Sequence, residues 1–339
     1  MARGTLSGIP AVIHASAPVR LDFAGAWTDV APFASEQRGV VVNAAIDLRT
    51  RVTLRTGFGH YALRADDLNQ GVDAATIEEL AADGTLGLLK AAIRRSGIGP
   101  CLLRTAAAAP AGSGLGTSGA LAVALSSAIS RAQGRSLTAT EIAHEAWLLE
   151  TVDAAVPGGQ QDQYAAALGG FQRLVFDHGV ATASTLDIDA GFAEELAAHT
   201  VICYTGASRF SGGTIAQVMR AYARGDAQVS SALHALADIA EEMAAAMQTA
   251  DMARVGSLVA RNWTQQQQLA PGMCTPEMAA LEAAMLAAGA IGGKAAGAGA
   301  GGSMFFVVPT NVAAAVAAAR ATGAVVLATQ WADHGVTIN

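Results

Sequence analysis

The sequence predicts a protein of mixed helices and strands arranged in two halves. Apolar and polar residues alternate at strand spacing in several short runs, and other stretches carry helix start and stop signals. The segment around 178–195 separates the two halves and is the expected boundary between them. A chain of 339 residues is long enough to bury a substantial core.

The first half is predicted to begin with strands and to continue with helices. Val19, Leu21 and Phe23 alternate with Arg20, Asp22 and Ala24, which is the period of a half-buried strand. A capping box at 138–141 opens a later helix. The predicted elements are strands near 19–24, 40–56, 101–104 and 171–177, and helices at 85–96, 117–133 and 138–154.

The second half is predicted to start with a strand at 201–205 and to continue through long alanine-rich helices. A glycine run then leads into a strand at 304–308, which is followed by a helix and a last strand near 335–338. No internal repeat or low-complexity linker interrupts this half.

Composition limits the classes of function. Only 14% of residues are charged and 52% are apolar, which indicates a compact globular protein. The net charge of −7 argues against general nucleic-acid binding, which needs clustered cations. Three cysteines without metal-site spacing suggest reduced thiols, and no clean membrane span or signal peptide is evident. We therefore expect a cytoplasmic protein with a small-molecule partner and no nucleic-acid or membrane partner.

Two glycine-rich segments, 110–120 and 289–302, are candidates for a phosphate site. Residues 297–302 contain GxGxxG, but a strand rather than a helix follows, and no acid for a ribose occurs between Glu282 and Asp333. The Gly293-Lys294 pair resembles the end of a P-loop, yet Ala295 occupies the position of the metal-binding hydroxyl. The second segment therefore satisfies neither the dinucleotide-binding motif nor the P-loop motif.

The first segment fits an anion better. Gly112, Gly114 and Gly116 let successive backbone N–H groups face one concavity, and the following helix adds its positive end. Thr117 or Ser118 supplies a hydroxyl suited to Mg²⁺. The alternative is a helix with a flexible entry and an alanine-rich packing face.

Three separated segments together resemble a known family. Residues 18–29, 110–120 and 293–302 are similar, in order and spacing, to the three motifs of the GHMP kinases. The resemblance implies an α+β fold with two domains and an active site between them. These would be an ATP-binding domain similar to ribosomal protein S5 domain 2 at 10–180 and a ferredoxin-like domain at 190–339.

The resemblance also implies an ATP and magnesium site. The phosphate loop would comprise Gly112, Ser113, Gly114, Leu115, Gly116, Thr117 and Ser118. Ser118 and Glu150 match the family's magnesium ligands. Glu145 competes for the second role, and either acid could instead lie on a solvated helix face.

For the acceptor, the resemblance implies Asp162 as the catalytic base and Arg20 as the cation that keeps it ionised. The implied substrate residues are Trp27, Thr28, Asp29, Gln161, Arg209, Gly297 and Gly299. Arg209 would meet a distal phosphate. The structural alternatives are an exposed strand residue for Arg20, core packing for Trp27 and a surface loop for Arg209.

Within the family, residues 23–29, 161–171, 204–209 and 269–277 most resemble kinases that phosphorylate a heptose 7-phosphate at C1. Ala26-Trp27 replaces the commoner Gly-Gly of that branch. Gln160 precedes the Gln-Asp-Gln stretch, a place near which that branch often has a Lys or Trp. The alternatives are a fucokinase-like or galactokinase-like enzyme for an unphosphorylated sugar, an inert ATP and sugar sensor, or a diphosphomevalonate decarboxylase. A monomer or homodimer is expected.

Overall fold

The computed structural model describes residues 12–81, 84–206 and 211–339, and it folds them around two β-sheets. The strands are β1 (Val12–Ala24), β2 (Gly39–Thr56), β3 (Tyr61–Ala65), β4 (Gln70–Ala74), β5 (Cys101–Ala107), β6 (Phe171–Asp177), β7 (Val180–Thr185), β8 (Thr200–Tyr204), β9 (Gly292–Ala295), β10 (Ser303–Val307), β11 (Val325–Leu327) and β12 (Thr337–Ile338). The helices are α1 (Phe33–Glu36), α2 (Gly87–Ser96), α3 (Thr117–Ala132), α4 (Ala139–Leu148), α5 (Gln161–Leu168), α6 (Ala190–Ala198), α7 (Ser211–Ala223), α8 (Ala227–Gln248), α9 (Met252–Gln267), α10 (Pro276–Ala287) and α11 (Val312–Ala321).

The larger sheet has eight strands within the described ranges, and its main order is β12-β1-β2-β5-β3-β4. In addition, β6 pairs with β2, and β7 pairs with β6. β1 and β2 form a long antiparallel pair, whereas β3 and β5 run parallel. Helices α3, α5 and α8 all contact β1 and β2. This sheet and its helices bury most of the large core.

The smaller sheet has the strand order β11-β8-β10-β9, and each neighbouring pair is antiparallel. Numbered along the chain, this is the order 4-1-3-2 of a ferredoxin-like sheet. Helices α7 to α10 connect its first two strands and α11 connects its last two. The two sheets meet where Phe23 of β1 packs edge-on against Phe305 of β10, with ring centroids 5.2 Å apart.

Most of the predicted elements are present, and the differences have local causes. β7 and α6 lie in the segment expected to be a boundary, and β7 is an edge strand with mostly exposed side chains, so no apolar alternation marks it. The helix predicted to reach 154 ends at Leu148 and continues as one π-helical turn, Leu149–Asp153. β12 pairs with β1 in the larger sheet. The domain limits 10–180 and 190–339 stay a prediction.

In the parts of the chain that the structure describes, no helix is both long and apolar enough to span a membrane.

Candidate active site

A cavity of about 400 Å³ lies where the two sheets approach each other. Its lining comes from segments far apart in the sequence. The lining residues are Arg20, Ala26, Trp27, Asp29, Val30, Gly112, Ser113, Gly114, Gly116, Thr117, Ser118, Glu150, Val156, Pro157, Gly158, Gly159, Gln161, Asp162, Gln163, Ile215, Gly297, Ala298, Gly299, Ala300 and Gly301. Most of the predicted site residues are therefore brought together.

The loop before α3 is shaped to face an anion. Gly112, Gly114 and Gly116 have φ angles of +68°, +74° and +81°, a backbone region that side chains disfavour. No side chain from the described ranges caps the first turn of α3, so its N–H groups keep their hydrogen-bonding capacity. A Cβ at Gly114 would have no heavy atom within 4 Å, which shows open space beside the loop. These features fit the phosphates of a nucleotide.

The second glycine segment packs against the first. A Cβ at Gly297 would lie 2.3 Å from the Gly114 carbonyl oxygen, and one at Gly302 would lie 2.8 Å from that of Ser113. The backbone N–H of Ser303 donates to the Ser113 oxygen at 2.7 Å. These glycines permit a close approach of two backbones. Gly299 has φ +83° and abuts the side chain of Met273.

Arg20 joins the loop to a carboxylate. Its Nε donates to Oδ1 of Asp162 at 2.8 Å, and its Nη1 donates to the carbonyl oxygens of Gly114 and Ala296, each at 2.8 Å. Arg20 is only 5% exposed, whereas the Asp162 side chain is 29% exposed. Gly119 makes room for Asp162, because a Cβ there would lie 2.6 Å from the Asp162 Cβ.

Ser118 and Glu150 are in direct contact beside the loop. The Ser118 hydroxyl donates to Oε1 of Glu150, and Nε2 of Gln163 donates to Oε2 at 2.7 Å. Burial raises the pKa of Glu150 to about 7, although these hydrogen bonds oppose the shift. The competing Glu145 does not line the cavity and pairs with Arg135 at 2.8 Å.

The oxygen atoms near Ser118 suit a hard cation that takes its remaining ligands from water and phosphate. Among the described residues, no group of three or more His, Cys, Asp or Glu side chains could hold a metal ion. Mg²⁺ is commonly bound by one or two carboxylates with water and phosphate oxygens. The oxygens of Ser118 and Glu150 fit such a partial set.

Asp29 lies at the other end of the cavity. Its Oδ2 accepts a hydrogen bond from the backbone N–H of Gln161 at 3.0 Å, at the start of α5. Burial raises the pKa of Asp29 to about 6, while the Gln161 hydrogen bond opposes the shift. Gly159 is required there, since a Cβ would lie 1.9 Å from Oδ2 of Asp29. Trp27 also lines this end, is 3% exposed and has φ +83°.

Two predicted site residues are placed differently from the rest, and a third lies outside the residues that the structure describes. Thr28 is fully buried outside the cavity lining, where its hydroxyl donates to the Gly25 oxygen at 2.8 Å and accepts from the Val40 N–H at 3.0 Å. The Leu115 side chain belongs to the core, and its carbonyl oxygen accepts a hydrogen bond from the backbone N–H of Arg20 at 2.9 Å. Arg209 lies outside the described residues.

Sequence reasoning missed Gln163, Lys294 and Asp22. Gln163 stands inside the quoted Gln-Asp-Gln stretch, so its position was visible but its contact with Glu150 was not. Lys294 was considered only as a failed P-loop lysine. One signal was its rarity, because the chain has a single other lysine, Lys90.

Comparisons with known proteins identify the family of the chain. The profile of the GHMP kinases N terminal domain matches residues 82–170, and that of the GHMP kinases C terminal matches 243–325. D-glycero-alpha-D-manno-heptose 7-phosphate kinase of Campylobacter jejuni is 30% identical over 308 residues, 88% of this chain and 90% of that protein. The chain belongs to the GHMP kinase family.

Two further relatives extend the comparison for this GHMP kinase. The crystal structure of a D-glycero-D-manno-heptose 1-phosphate kinase from Bacteroides thetaiotaomicron superposes with a TM-score of 0.78 at 26% identity, covering 96% of this chain and 98% of that one. L-fucokinase/L-fucose-1-P guanylyltransferase of Bacteroides fragilis is 28% identical over 89% of this chain but only 35% of its own length. The α+β fold of this family is confirmed. The protein is an ATP-dependent kinase of small molecules, in a family that includes sugar kinases.

Proposed function

We propose that this GHMP kinase transfers the γ-phosphoryl group of ATP to the anomeric C1 hydroxyl of a heptose 7-phosphate. The observation that carries the proposal is the Arg20–Asp162 pair, which lies in one cavity with the glycine loop and with Asp29. The Campylobacter jejuni relative, which covers nearly the whole of both chains, supports the choice of sugar. We also propose Mg²⁺ as cofactor, a cytoplasmic location, and a monomer or homodimer.

The two ends of the cavity have separate roles in this proposal. The phosphate end consists of residues 112–118 with Glu150, and the acceptor end consists of Arg20, Trp27, Asp29, Gln161 and Asp162. Backbone N–H groups of the loop and the positive end of α3 bind the phosphates. Ser118 and Glu150 would hold Mg²⁺, which neutralises phosphate charge when bound.

At the acceptor end, the oxygen of the C1 hydroxyl attacks the γ-phosphorus, the bond to the β,γ-bridging oxygen breaks and ADP leaves, while Asp162 takes the hydroxyl proton. An anomeric hydroxyl is more acidic than an ordinary alcohol, so a carboxylate is an adequate base. Arg20 holds Asp162 through Nε, while its Nη2 makes no hydrogen bond to the described protein and can meet the transferred phosphoryl group. Positioning and charge stabilisation supply most of the rate in such reactions.

Asp29 is proposed to bind sugar hydroxyls. Its Oδ2 is fixed by the Gln161 N–H, which leaves Oδ1 as the acceptor for a hydroxyl proton. Trp27 provides an apolar wall for the ring. Gly297 and Gly299 line the cavity, and we propose that they contribute by shape rather than by hydrogen bonds.

The second candidate is a kinase of an unphosphorylated sugar such as fucose. Arg20 is the one cationic side chain among the described residues of the lining, and two of its nitrogens already have protein partners. A distal phosphate therefore lacks an evident cation in the described part of the cavity. The Bacteroides fragilis relative is named as a fucokinase, which also favours this candidate.

The deciding experiment is a panel of heptose 7-phosphate, free heptoses, fucose and galactose, assayed for ADP release. ³¹P NMR then locates the new phosphate. We expect a 1,7-bisphosphate. Efficient turnover of unphosphorylated sugars alone would support the second candidate, and a phosphate away from C1 would overturn the anomeric assignment. ATP and sugar binding without any turnover would indicate an inert sensor.

A further inference from the structure

A fully buried ion pair lies directly behind the acceptor end. Nζ of Lys294 donates to the Asp22 carboxylate, to the Asp22 carbonyl oxygen at 2.8 Å and to the Ala295 carbonyl oxygen at 2.9 Å. Both side chains are 0% exposed. Nζ also lies 5.6 Å from the centroid of the Phe305 ring. Burial lowers the pKa of Lys294, and the Asp22 charge opposes that shift.

The pair connects the two sheets at the position of Arg20. Asp22 follows Arg20 by two residues on β1, so both side chains leave the same face of the strand. Lys294 precedes Ala296 by two residues, and the Ala296 carbonyl accepts a hydrogen bond from Arg20 at 2.8 Å. Two contacts therefore connect β1 with the end of β9. One joins Asp22 to Lys294, and the other joins Arg20 to the Ala296 carbonyl.

Simple adhesion between the sheets does not need these charges. Removing two ions from water costs several kcal/mol per ion, and apolar pairs of similar volume often stabilise a core equally well. The same junction already has the Phe23–Phe305 contact and a hydrogen bond from the Gly25 N–H to Asn262 at 3.0 Å. A charged pair differs from these contacts in that it specifies one geometry.

We infer that Asp22 and Lys294 are positioning residues that hold Arg20 in register with Asp162 and with the phosphate loop. The inference rests on the proposed role of Arg20 and Asp162. With Lys294 fixed on Asp22, the Ala296 carbonyl stands where it orients the Arg20 guanidinium. The adjoining Gly297 then meets the Gly114 carbonyl at the distance that excludes a Cβ. Neither Asp22 nor Lys294 lines the cavity, so both act through Arg20.

The test uses Lys294→Met and the milder Asp22→Asn, which keeps size and hydrogen-bonding capacity. At temperatures where each variant is folded, we expect kcat to fall about ten-fold or more while KM for ATP changes less than about three-fold. In an Arg20→Lys background, adding Lys294→Met is expected to lower kcat by less than about three-fold, because residues acting through one group are not additive.

The matched control is Glu241→Gln. The Glu241 carboxylate lies 2.6 Å from a nitrogen of Arg38 and 2.6 Å from a nitrogen of Arg173, and Glu241 does not line the cavity. We expect its loss to lower the free energy of unfolding and to leave kcat unchanged. A drop in stability with kcat within about two-fold of wild type in both test variants, or additive losses with Arg20→Lys, would make the Asp22–Lys294 pair purely structural and overturn the inference.

A second readout is independent of any substrate. The Arg20 Nε–H resonance, assigned by its loss in Arg20→Lys, reports the hydrogen bond to Asp162 in the free protein. We expect Asp22→Asn and Lys294→Met to shift or broaden this resonance and Glu241→Gln to leave it unchanged. An unmoved resonance in both test variants would also overturn the inference. If the wild-type protein turned over no sugar, the proposed function would fail while this measurement still decided the positioning role.

Discussion

Apart from the side chains of Ser118 and Glu150, the phosphate end of the cavity offers backbone N–H groups and a helix terminus, whereas the acceptor end presents the charged side chains of Arg20, Asp29 and Asp162. The phosphate loop is one contiguous segment in which glycines alternate. The acceptor end is assembled from β1, the turn after it and α5, and Asp162 follows Arg20 by 142 positions in the sequence. The two ends should therefore fail in different ways. An added carbon should damage the first, and a removed charge should damage the second.

The largest effect is expected for Asp162→Asn. The substitution preserves size but removes the proton acceptor, so we expect kcat to fall about a thousand-fold. ATP affinity, measured by calorimetry, should remain within a few-fold of wild type because the phosphate end is untouched. If kcat stayed within a few-fold of wild type, Asp162 would not be the base and positioning alone would supply the rate.

Asp29→Asn separates binding from stability at the acceptor end. The pKa of Asp29 in the folded protein, about 6, lies above its ordinary value of 3.8, so the folded state binds this proton more tightly than the unfolded state. The contribution of Asp29 to wild-type stability therefore falls as pH rises from about 4 to about 6 and is constant above that range. The variant should lack this loss and be more stable at pH 7 by about 3 kcal/mol, while KM for the sugar rises.

Urea unfolding at pH 4 and pH 7 measures this difference. The control is Asp73→Asn, because Arg64 lowers the pKa of the exposed Asp73 and its removal should not stabilise the protein. Equal stability of wild type and Asp29→Asn at pH 7 would contradict a raised pKa of the buried Asp29 carboxyl.

The contrast between the two ends also explains what the sequence could predict. The phosphate loop and α3 were predicted because the glycines, the hydroxyls and the helix start are adjacent in the chain. The contact of Arg20 with Asp162 followed only from the family resemblance. The Asp22–Lys294 pair, separated by 272 positions, has no local pattern, and only the packing of the two sheets creates it.

The same limit applies to the fold. β1 and β2 were predicted from alternation, β6 was predicted as a strand-like run, and α4 was predicted from its capping box, which is present. The hairpin of β3 and β4 was not, and β4 is largely exposed, so few buried positions mark it in the sequence. Thr28 shows the converse case. Its place in the motif predicts sugar binding, which stays a prediction, whereas its hydroxyl donates to the carbonyl oxygens of Gly25 and Val40.

Gly114→Ala tests the phosphate end by adding one carbon. The added Cβ meets no protein atom within 4 Å, so the change acts through the left-handed backbone and through the open space where a phosphate would approach. We expect KM for ATP to rise about ten-fold, with KM for the sugar unchanged. Gly97→Ala is the matched control, because Gly97 has φ +60°, equally open surroundings and no place in the cavity lining. If KM for ATP in Gly114→Ala were no higher than in Gly97→Ala, the space beside Gly114 would not be where a phosphate binds.

The smallest effect is expected where a side chain serves the phosphate end. Ser118→Ala and Glu150→Gln each remove one oxygen ligand, and because Mg²⁺ keeps water and phosphate oxygens as its other ligands, we expect the Mg²⁺ concentration for half-maximal rate to rise only about three- to ten-fold. Glu145→Gln is the control, since Glu145 lies five residues earlier and pairs with Arg135 outside the cavity lining. The Mg²⁺ titration should be performed at saturating sugar, so that only the phosphate end limits the rate. If both Ser118→Ala and Glu150→Gln titrate like Glu145→Gln, the two oxygens do not hold the ion, and the buried contact between them is a packing feature of α3 and the turn after α4.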